Sequence, residues 1–312
     1  MASATFPNAR PVFLDCDPGL DDAIALMVLA SHPEQVYLKG ITTVAGNQSG
    51  EKTFQNARRL AAWLNLSAPV AMGAKRPFSE NRAPVCAADV HGEDGLAGMR
   101  AGSRLADASP LTAEQLLWQG ISSAQQPQTL ICTGPLTNLA QLLSHHPEAA
   151  KQVDHLTIMG GSLSGGNVTP FAEFNFYADP EAADFVLTSG IPITLLGLDV
   201  THKAYLTDEE IAHFASLHTR HGDMVGDLMA FYAAHYHATG LPGTPVHDAS
   251  AVLCELFPQL FPESRMLSLR VRTDGEHAGE CVTDPAAPPN VRFVTDVDRA
   301  AFVSALEDCC LK

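Results

Sequence analysis

The sequence predicts an α/β protein with an open, mostly parallel central sheet and helices on both faces. Three observations lead there. Short apolar runs of strand length alternate with longer segments of helical apolar spacing, the order that builds parallel sheets. Polar and glycine residues recur just behind those runs, where the carboxyl ends of parallel strands gather. The chain has 312 residues, of which 46% are hydrophobic, enough for one large core.

The elements follow in order. Pro11-Val12-Phe13-Leu14 reads as a buried strand. Residues 21–32 have a helical apolar pattern with carboxylates in the first turn, which favours the helix dipole. Residues 38–44 form a second strand, and residues 52–64 an amphipathic helix carrying Trp63. Thr129-Leu130-Ile131-Cys132 is a further strand, with a helix beginning over 136–143. Leu156-Thr157-Ile158-Met159 ends in Gly160-Gly161, and Ile193-Thr194-Leu195-Leu196 leads to Asp199. The Pro-rich stretch 284–289 reads as a loop between late strands. No linker divides the chain, so residues 10–312 are expected to form a single domain behind a tail at 1–9.

The formal net charge of -16, with no cluster of Lys or Arg, argues against a nucleic-acid polymer as partner. No apolar run is long enough to span a membrane, and the N-terminus lacks an apolar core for export. The cysteines (16, 86, 132, 254, 281, 309 and 310) are odd in number and scattered without a Cys-x-x-Cys pair. A cytoplasmic protein without a disulfide framework or zinc site is expected.

The most informative segment is Asp15-Cys16-Asp17-Pro18-Gly19-Leu20-Asp21-Asp22, with four carboxylates in eight residues. Carboxylates that share a site disfavour each other's ionised form. A bound divalent cation removes that penalty. A helix cap explains one or two of these residues, but not four around Pro18-Gly19. An EF-hand fails on register, because its glycine and bidentate glutamate positions fall on Leu20 and Leu26. A P-loop lacks its Gly-Lys-Ser/Thr. A haloacid-dehalogenase-type phosphatase also opens on Asp-x-Asp, but Gly19 stands where it needs Thr or Val. Asp17 and Asp22 are spaced to converge from a loop and a first helical turn. Asp248 and a strand-end carbonyl such as that of Thr133 would complete an oxygen-rich, calcium-like site.

Other segments are informative in company. Asn167, Glu173 and Asn175 offer amides and a carboxylate suited to sugar hydroxyls. His91-Gly92-Glu93-Asp94-Gly95 has the composition of a flexible lid. Tyr232 and Tyr236 fall one helical turn apart on a common face. His247-Asp248 opens a helix-like run to Leu256.

Together these motifs resemble the nucleoside hydrolase family over nearly the whole chain. The signature is Asp15 to Ala23. Supporting matches are Thr42 to Asn47, His91-Gly92-Glu93, Gly134 to Asn138, Met159-Gly160-Gly161, Ala172 to Asn175 and His247-Asp248. The resemblance is greatest to bacterial broad-specificity ribonucleoside hydrolases, which cleave purine and pyrimidine ribosides. It implies a Rossmann-like nucleoside hydrolase fold and a tightly bound Ca2+ held by Asp17, Asp22, Asp248 and the Thr133 carbonyl. It also implies a water nucleophile on the ion, with Asp17 as its base and His247 as acid for the leaving base. Asp21, Asn47, Asn167, Glu173, Asn175 and Asp248 would hold the ribose. His91, Met159, Tyr232 and Tyr236 would complete the substrate pocket. The family tends to form homodimers or homotetramers. Trp63 and Trp118 lie away from the motifs, which disfavours a purine-only pocket built from tryptophans. The competing readings are a magnesium phosphatase and a non-catalytic, calcium-stabilised nucleoside-binding protein.

Overall fold

Strand β1 (Arg10–Cys16) and β4 (Gln128–Cys132) lie side by side at the middle of an eight-stranded sheet. The sheet order is β3-β2-β1-β4-β5-β6-β12-β9. It uses β2 (Val36–Thr43), β3 (Val70–Met72), β5 (Val153–Met159), β6 (Ile193–Leu196), β9 (Ser264–Leu267) and β12 (Val291–Val294). All neighbours pair in parallel except β9, which runs antiparallel to β12 at one edge. Two short pairs stand apart: β7 (Tyr205–Leu206) with β8 (Thr244–Pro245), and β10 (Leu269–Val271) with β11 (Cys281–Thr283). The computed structural model describes residue 6, residues 9–99 and residues 102–312. The expected tail at 1–9 thus falls, apart from Phe6 and Ala9, outside the described residues.

Helices cover both faces, as the sequence pattern predicts. One layer holds α1 (Leu20–Ser31), α2 (Gly50–Trp63), α10 (Arg220–Tyr236), α11 (His247–Leu256) and α12 (Arg299–Cys310). The other holds α4 (Ala113–Ser122), α5 (Thr137–His145) and α7 (Pro180–Leu187). Short helices α3 (Ala88–His91), α6 (Phe174–Ala178) and α8 (Leu198–Thr201) sit near the strand ends, and α9 (Asp208–Ser216) precedes α10. The strand period of two separates the cores. Val12 and Leu14 of β1 pack with the α1 layer, while Phe13 between them packs with the α4 layer. A strand buried on both faces must be apolar throughout, which explains the continuous Val12-Phe13-Leu14 run.

Two sequence expectations change. β1 continues two residues past its apolar run, so Asp15 lies within the strand, opposite Thr42 and Cys132, and does not follow it. The backbone ladder overrides the polarity of Asp15, whose Oδ1 accepts from Thr42 and Asn138 while its Oδ2 stays buried without a partner. The edge strands β3 and β9, and β12 beside β9, carry only three or four residues each, too short for a periodic signal. The stretch 284–289 is indeed the loop between β11 and β12.

Candidate active site

In the sheet order, the chain moves outward in one direction after β1 and in the opposite direction after β4. Ligands of open α/β sheets bind outside the carboxyl ends at such a switch point. Asp17 follows β1 there, and Thr133 follows β4.

Asp17 is fully buried. Its Oδ2 accepts from the Asn47 amide at 2.7 Å, whereas its Oδ1 is buried without a hydrogen-bond partner. Two glycines let the carboxylate in. A side chain at Gly46 would overlap Oδ2, and one at Gly134 would come within 2.5 Å of Oδ1. Gly46→Ala is therefore expected to displace Asp17 and, if Asp17 has the role of base that the family resemblance implies, to cut turnover by roughly 100-fold, the scale of a misplacement of about 1 Å. Steady-state kinetics on the folded variant check this.

Asp22 lies at the start of α1. Its Oδ2 accepts from the Gly19 amide at 2.9 Å and from Asn47 Nδ2 at 3.2 Å, and its Oδ1 accepts from Thr133 Oγ1 at 2.8 Å. Asp22 thus caps the helix as well as belonging to the acidic cluster. Carboxylate oxygens of Asp21, Asp22 and Asp248 lie within 4.8 Å of one another, all buried. Asp21 therefore stands with Asp22 and Asp248, while Asp17 approaches from the β1 side. Burial, and then the Asp22 charge, push the Asp21 carboxyl up to about 7. Burial and the charges of Asp21, Asp22 and Asp17 push Asp248 well above the carboxylate range. Burial raises Asp17 and Asp22 as well. Asp15 sits one layer deeper, its Oδ1 accepting from Thr42 Oγ1 and, at 2.7 Å, from Asn138 Nδ2.

Above this nest opens a narrow cleft of about 110 Å³. Asp21, Asn47, Thr133 and Asp248 line it from the strand ends and helix starts. Met159, Asn167, Glu173 and Asn175 line it from the segment after β5, and His91, Tyr232, Tyr236 and His247 from α3, α10 and α11. Asp17 and Asp22 are not among the lining residues. Every side chain singled out from the sequence is thereby located, and none of the lining residues is Lys or Arg.

The sugar-side groups are held firmly. Glu173 caps α6, and its Oε2 accepts from the amides of Gly161, Asn175 and Phe176 at 2.8, 3.0 and 3.3 Å. Burial still pushes its carboxyl up to about 7. Asn175 Nδ2 donates to the carbonyls of Thr133 and Met159 at 2.9 and 3.2 Å. Asn167 Oδ1 accepts from the Phe174 amide at 3.0 Å, closing the loop that carries Glu173. Asp199 instead accepts from Ser162 Oγ and the Leu163 amide, and none of these three residues lines the cleft.

His247 lies in a chain of hydrogen bonds. Its Nδ1 is 2.8 Å from Thr201 Oγ1, its Nε2 is 2.7 Å from Tyr236 Oη, and Tyr236 Oη is 3.4 Å from Tyr232 Oη. Burial, with His202 and His91 nearby, holds the imidazole well below its ordinary value, so it is neutral near pH 7. Burial likewise brings His91 down to about 3, and its Nδ1 accepts from the Leu20 amide at 3.2 Å. Sequence reasoning missed Thr201 and also the cleft-lining His235. His235 adjoins Tyr236 on the helix already singled out, which is a usable signal. Thr201 carries none.

A parallel α/β sheet with an acidic oxygen nest at its switch point, beneath a cleft of amides, carboxylates and tyrosines, defines a hydrolase of the nucleoside-cleaving class. The model of the family described as inosine-uridine preferring nucleoside hydrolase matches residues 12–304. The chain belongs to that family and is a nucleoside hydrolase. It is 41% identical over 308 residues to the pyrimidine-specific ribonucleoside hydrolase RihA of Photobacterium profundum, covering 96% of this chain and 98% of that one. With RihA of Escherichia coli O1:K1 the identity is 40% over 309 residues, at the same coverage of both chains. Among solved structures, the purine-preferring ribonucleoside hydrolase from Gardnerella vaginalis superposes with a TM-score of 0.89 at 28% identity. That match covers 96% of this chain and 98% of the other.

Proposed function

We propose that this enzyme hydrolyses the N-glycosidic bond of purine and pyrimidine ribonucleosides, releasing ribose and the free base, with Ca2+ as its cofactor. The observation that carries the reading is the buried, unpartnered Oδ1 of Asp17 among carboxylates that no Lys or Arg offsets in the cleft. Such a donor set, all oxygen and crowded, fits a hard cation. Asp17, Asp22, Asp248 and the Thr133 carbonyl would hold it; that carbonyl keeps a second lone pair beside its bond from Asn175. When bound, the ion offsets the repulsion among the carboxylates and acidifies a water.

The protein groups do the rest. Asp17 accepts the proton of the attacking water at its carboxylate. Asp21, Asn47, Asn167, Glu173, Asn175 and Asp248 hold the ribose hydroxyls, and the carboxylates among them stabilise the positive charge that builds on the sugar. Attack opposite the base inverts the anomeric carbon. His247 does not act alone on the departing base. Its Nε2 lies 2.7 Å from Tyr236 Oη and Thr201 Oγ1 orients its Nδ1 side, so His247 is the candidate acid for that base with Tyr236 sharing its hydrogen-bond chain. His91 and Met159 complete the pocket.

His247→Ala is expected to slow inosine cleavage by roughly 100-fold. A riboside with a nitrophenol leaving group, which needs no proton, should lose far less. Equal losses on both would make His247 a substrate-positioning residue.

The relatives named as pyrimidine-specific favour a narrower reading, with uridine and cytidine as the only good substrates. Reducing-sugar release from inosine, adenosine, uridine and cytidine, with and without chelator, decides between the two. Release of phosphate from nucleotides would favour the phosphatase, against which the lack of cleft cations counts. Binding of uridine without turnover would favour a binding protein. Among the described residues no helix is long and apolar enough to cross a membrane, and all seven cysteines are free. These features support the cytoplasmic part of the reading. A homodimer or homotetramer rests on family resemblance, and sedimentation tests it.

A further inference from the structure

The loop over 92–98 follows α3, which carries His91 into the catalytic cleft, and with Lys52, Arg59 and Phe231 it lines an open groove of about 690 Å³. Its glycine-rich composition predicts a free lid. The contacts describe a loop tied to the scaffold. Leu96 is fully buried. Asp94 Oδ1 accepts from the amides of Leu96 and Gly98 at 3.0 and 3.1 Å. Gln48 Nε2 donates to the Gly92 carbonyl at 2.8 Å.

One tie differs from the others. Asn56 of α2 is 2% exposed, and its Nδ2 donates both to the Asp94 carbonyl, at 2.8 Å, and to the Pro18 carbonyl, at 3.2 Å. Pro18 is the hinge between Asp17 and the helix start that carries Asp21 and Asp22. Gly95 packs so close, with φ +82°, that a side chain there would come within 2.9 Å of Asn56 Nδ2. The loop carries His91 into the cleft, and the Leu20 amide donates to His91 Nδ1. One amide group therefore links the acidic turn to the loop behind the substrate.

We propose that Asn56 is a positioning residue that locks the 92–98 loop and the Asp17–Asp22 turn into one unit, setting both cation affinity and substrate binding. It touches neither substrate nor cation. Without it, the buried Pro18 carbonyl and the part-buried Asp94 carbonyl lose their donor, a cost greatest at Pro18. Groups that orient metal ligands are worth about 10–100-fold in affinity or activity when removed. The catalytic half of the proposal rests on the function proposed above; the mechanical half does not.

The test uses the full chain and three readouts: calcium titrated into chelator-treated protein, amide exchange over 92–98, and KM and kcat for uridine. Asn56→Ala is expected to fold, speed exchange over 92–98, weaken calcium binding about 10-fold and raise KM. Asn56→Ser, which keeps one donor, should fall between wild type and Asn56→Ala, and it decides the matter if Asn56→Ala does not fold. Gln48→Ala, which releases the loop alone, should speed exchange and raise KM with calcium affinity unchanged. Wild-type exchange and calcium affinity in Asn56→Ala would overturn the proposal. Equal calcium losses in Asn56→Ala and Gln48→Ala would overturn the link to the turn. Wild-type protein that releases no sugar from nucleosides would reject the proposed function and leave the exchange result to judge the loop.

Discussion

Asp17→Asn is expected to lower kcat on uridine by roughly 1,000-fold, the scale of removing a positioned general base. The substitution keeps the shape that Gly46 and Gly134 accommodate. It keeps an acceptor for the Asn47 amide, now bonded to Oδ2 at 2.7 Å, and it removes one buried charge from a nest where burial already opposes ionisation. The fold should therefore survive, with Tm in the chelator-treated protein at or slightly above that of chelator-treated wild type. The diagnostic pattern is lost turnover in a well-folded protein that still binds uridine. Near-native turnover would remove Asp17 from the role of base. An unfolded variant would make Asp17 structural, and isothermal uridine binding separates the two.

Stripping calcium with a strong chelator should abolish turnover and give stability a distinctive pH dependence. The Asp21 and Glu173 carboxyls stand at about 7 in the folded protein, against 3.8 and 4.5 as ordinary values. A carboxyl raised on folding binds its proton more tightly in the native state, so the unfolded state gains as pH rises. The stripped protein should be most stable near pH 4–5 and lose stability as pH climbs to about 7. Buried carboxyls of this kind contribute on the order of a few kcal/mol, which for a chain this size means a fall in Tm of roughly 5 °C or more. Calcium should restore much of that at pH 8, because binding only the native state adds about 2.7 kcal/mol at a hundredfold excess over Kd. The Glu173 share should persist, since Glu173 is not in the proposed ligand set. Scanning calorimetry from pH 5 to 8, with and without calcium, reads both effects. A stripped protein whose Tm rises with pH would contradict the raised carboxyls.

The architecture was legible because its strongest signals are local. Val12-Phe13-Leu14 must be buried on both faces, and the four carboxylates behind it need a positive partner whatever surrounds them. That Asn167, Glu173, Asn175 and His247-Asp248 share one site is implied by the family resemblance, and they line one cleft. Other features carry no local mark. Asp15 looked like a loop residue, yet it is inside β1, because Thr42 and Asn138 sit where its carboxylate points. Thr201 lies 46 positions from His247 and orients it. The hydrogen bond of 2.7 Å between His247 Nε2 and Tyr236 Oη, which joins two residues singled out separately, is likewise unmarked in the sequence.

The sequence by itself determined the fold class, the acidic nest and the family to which the chain belongs, because periodicity and crowded charge are written in neighbouring residues. Tertiary structure decided which carboxylate oxygens stay unpartnered, which hydroxyls flank His247, and how Asn56 joins the loop to the acidic turn. Those are matters of a few tenths of an ångström between segments distant in the chain. No spacing rule encodes such distances; only the packed core fixes them.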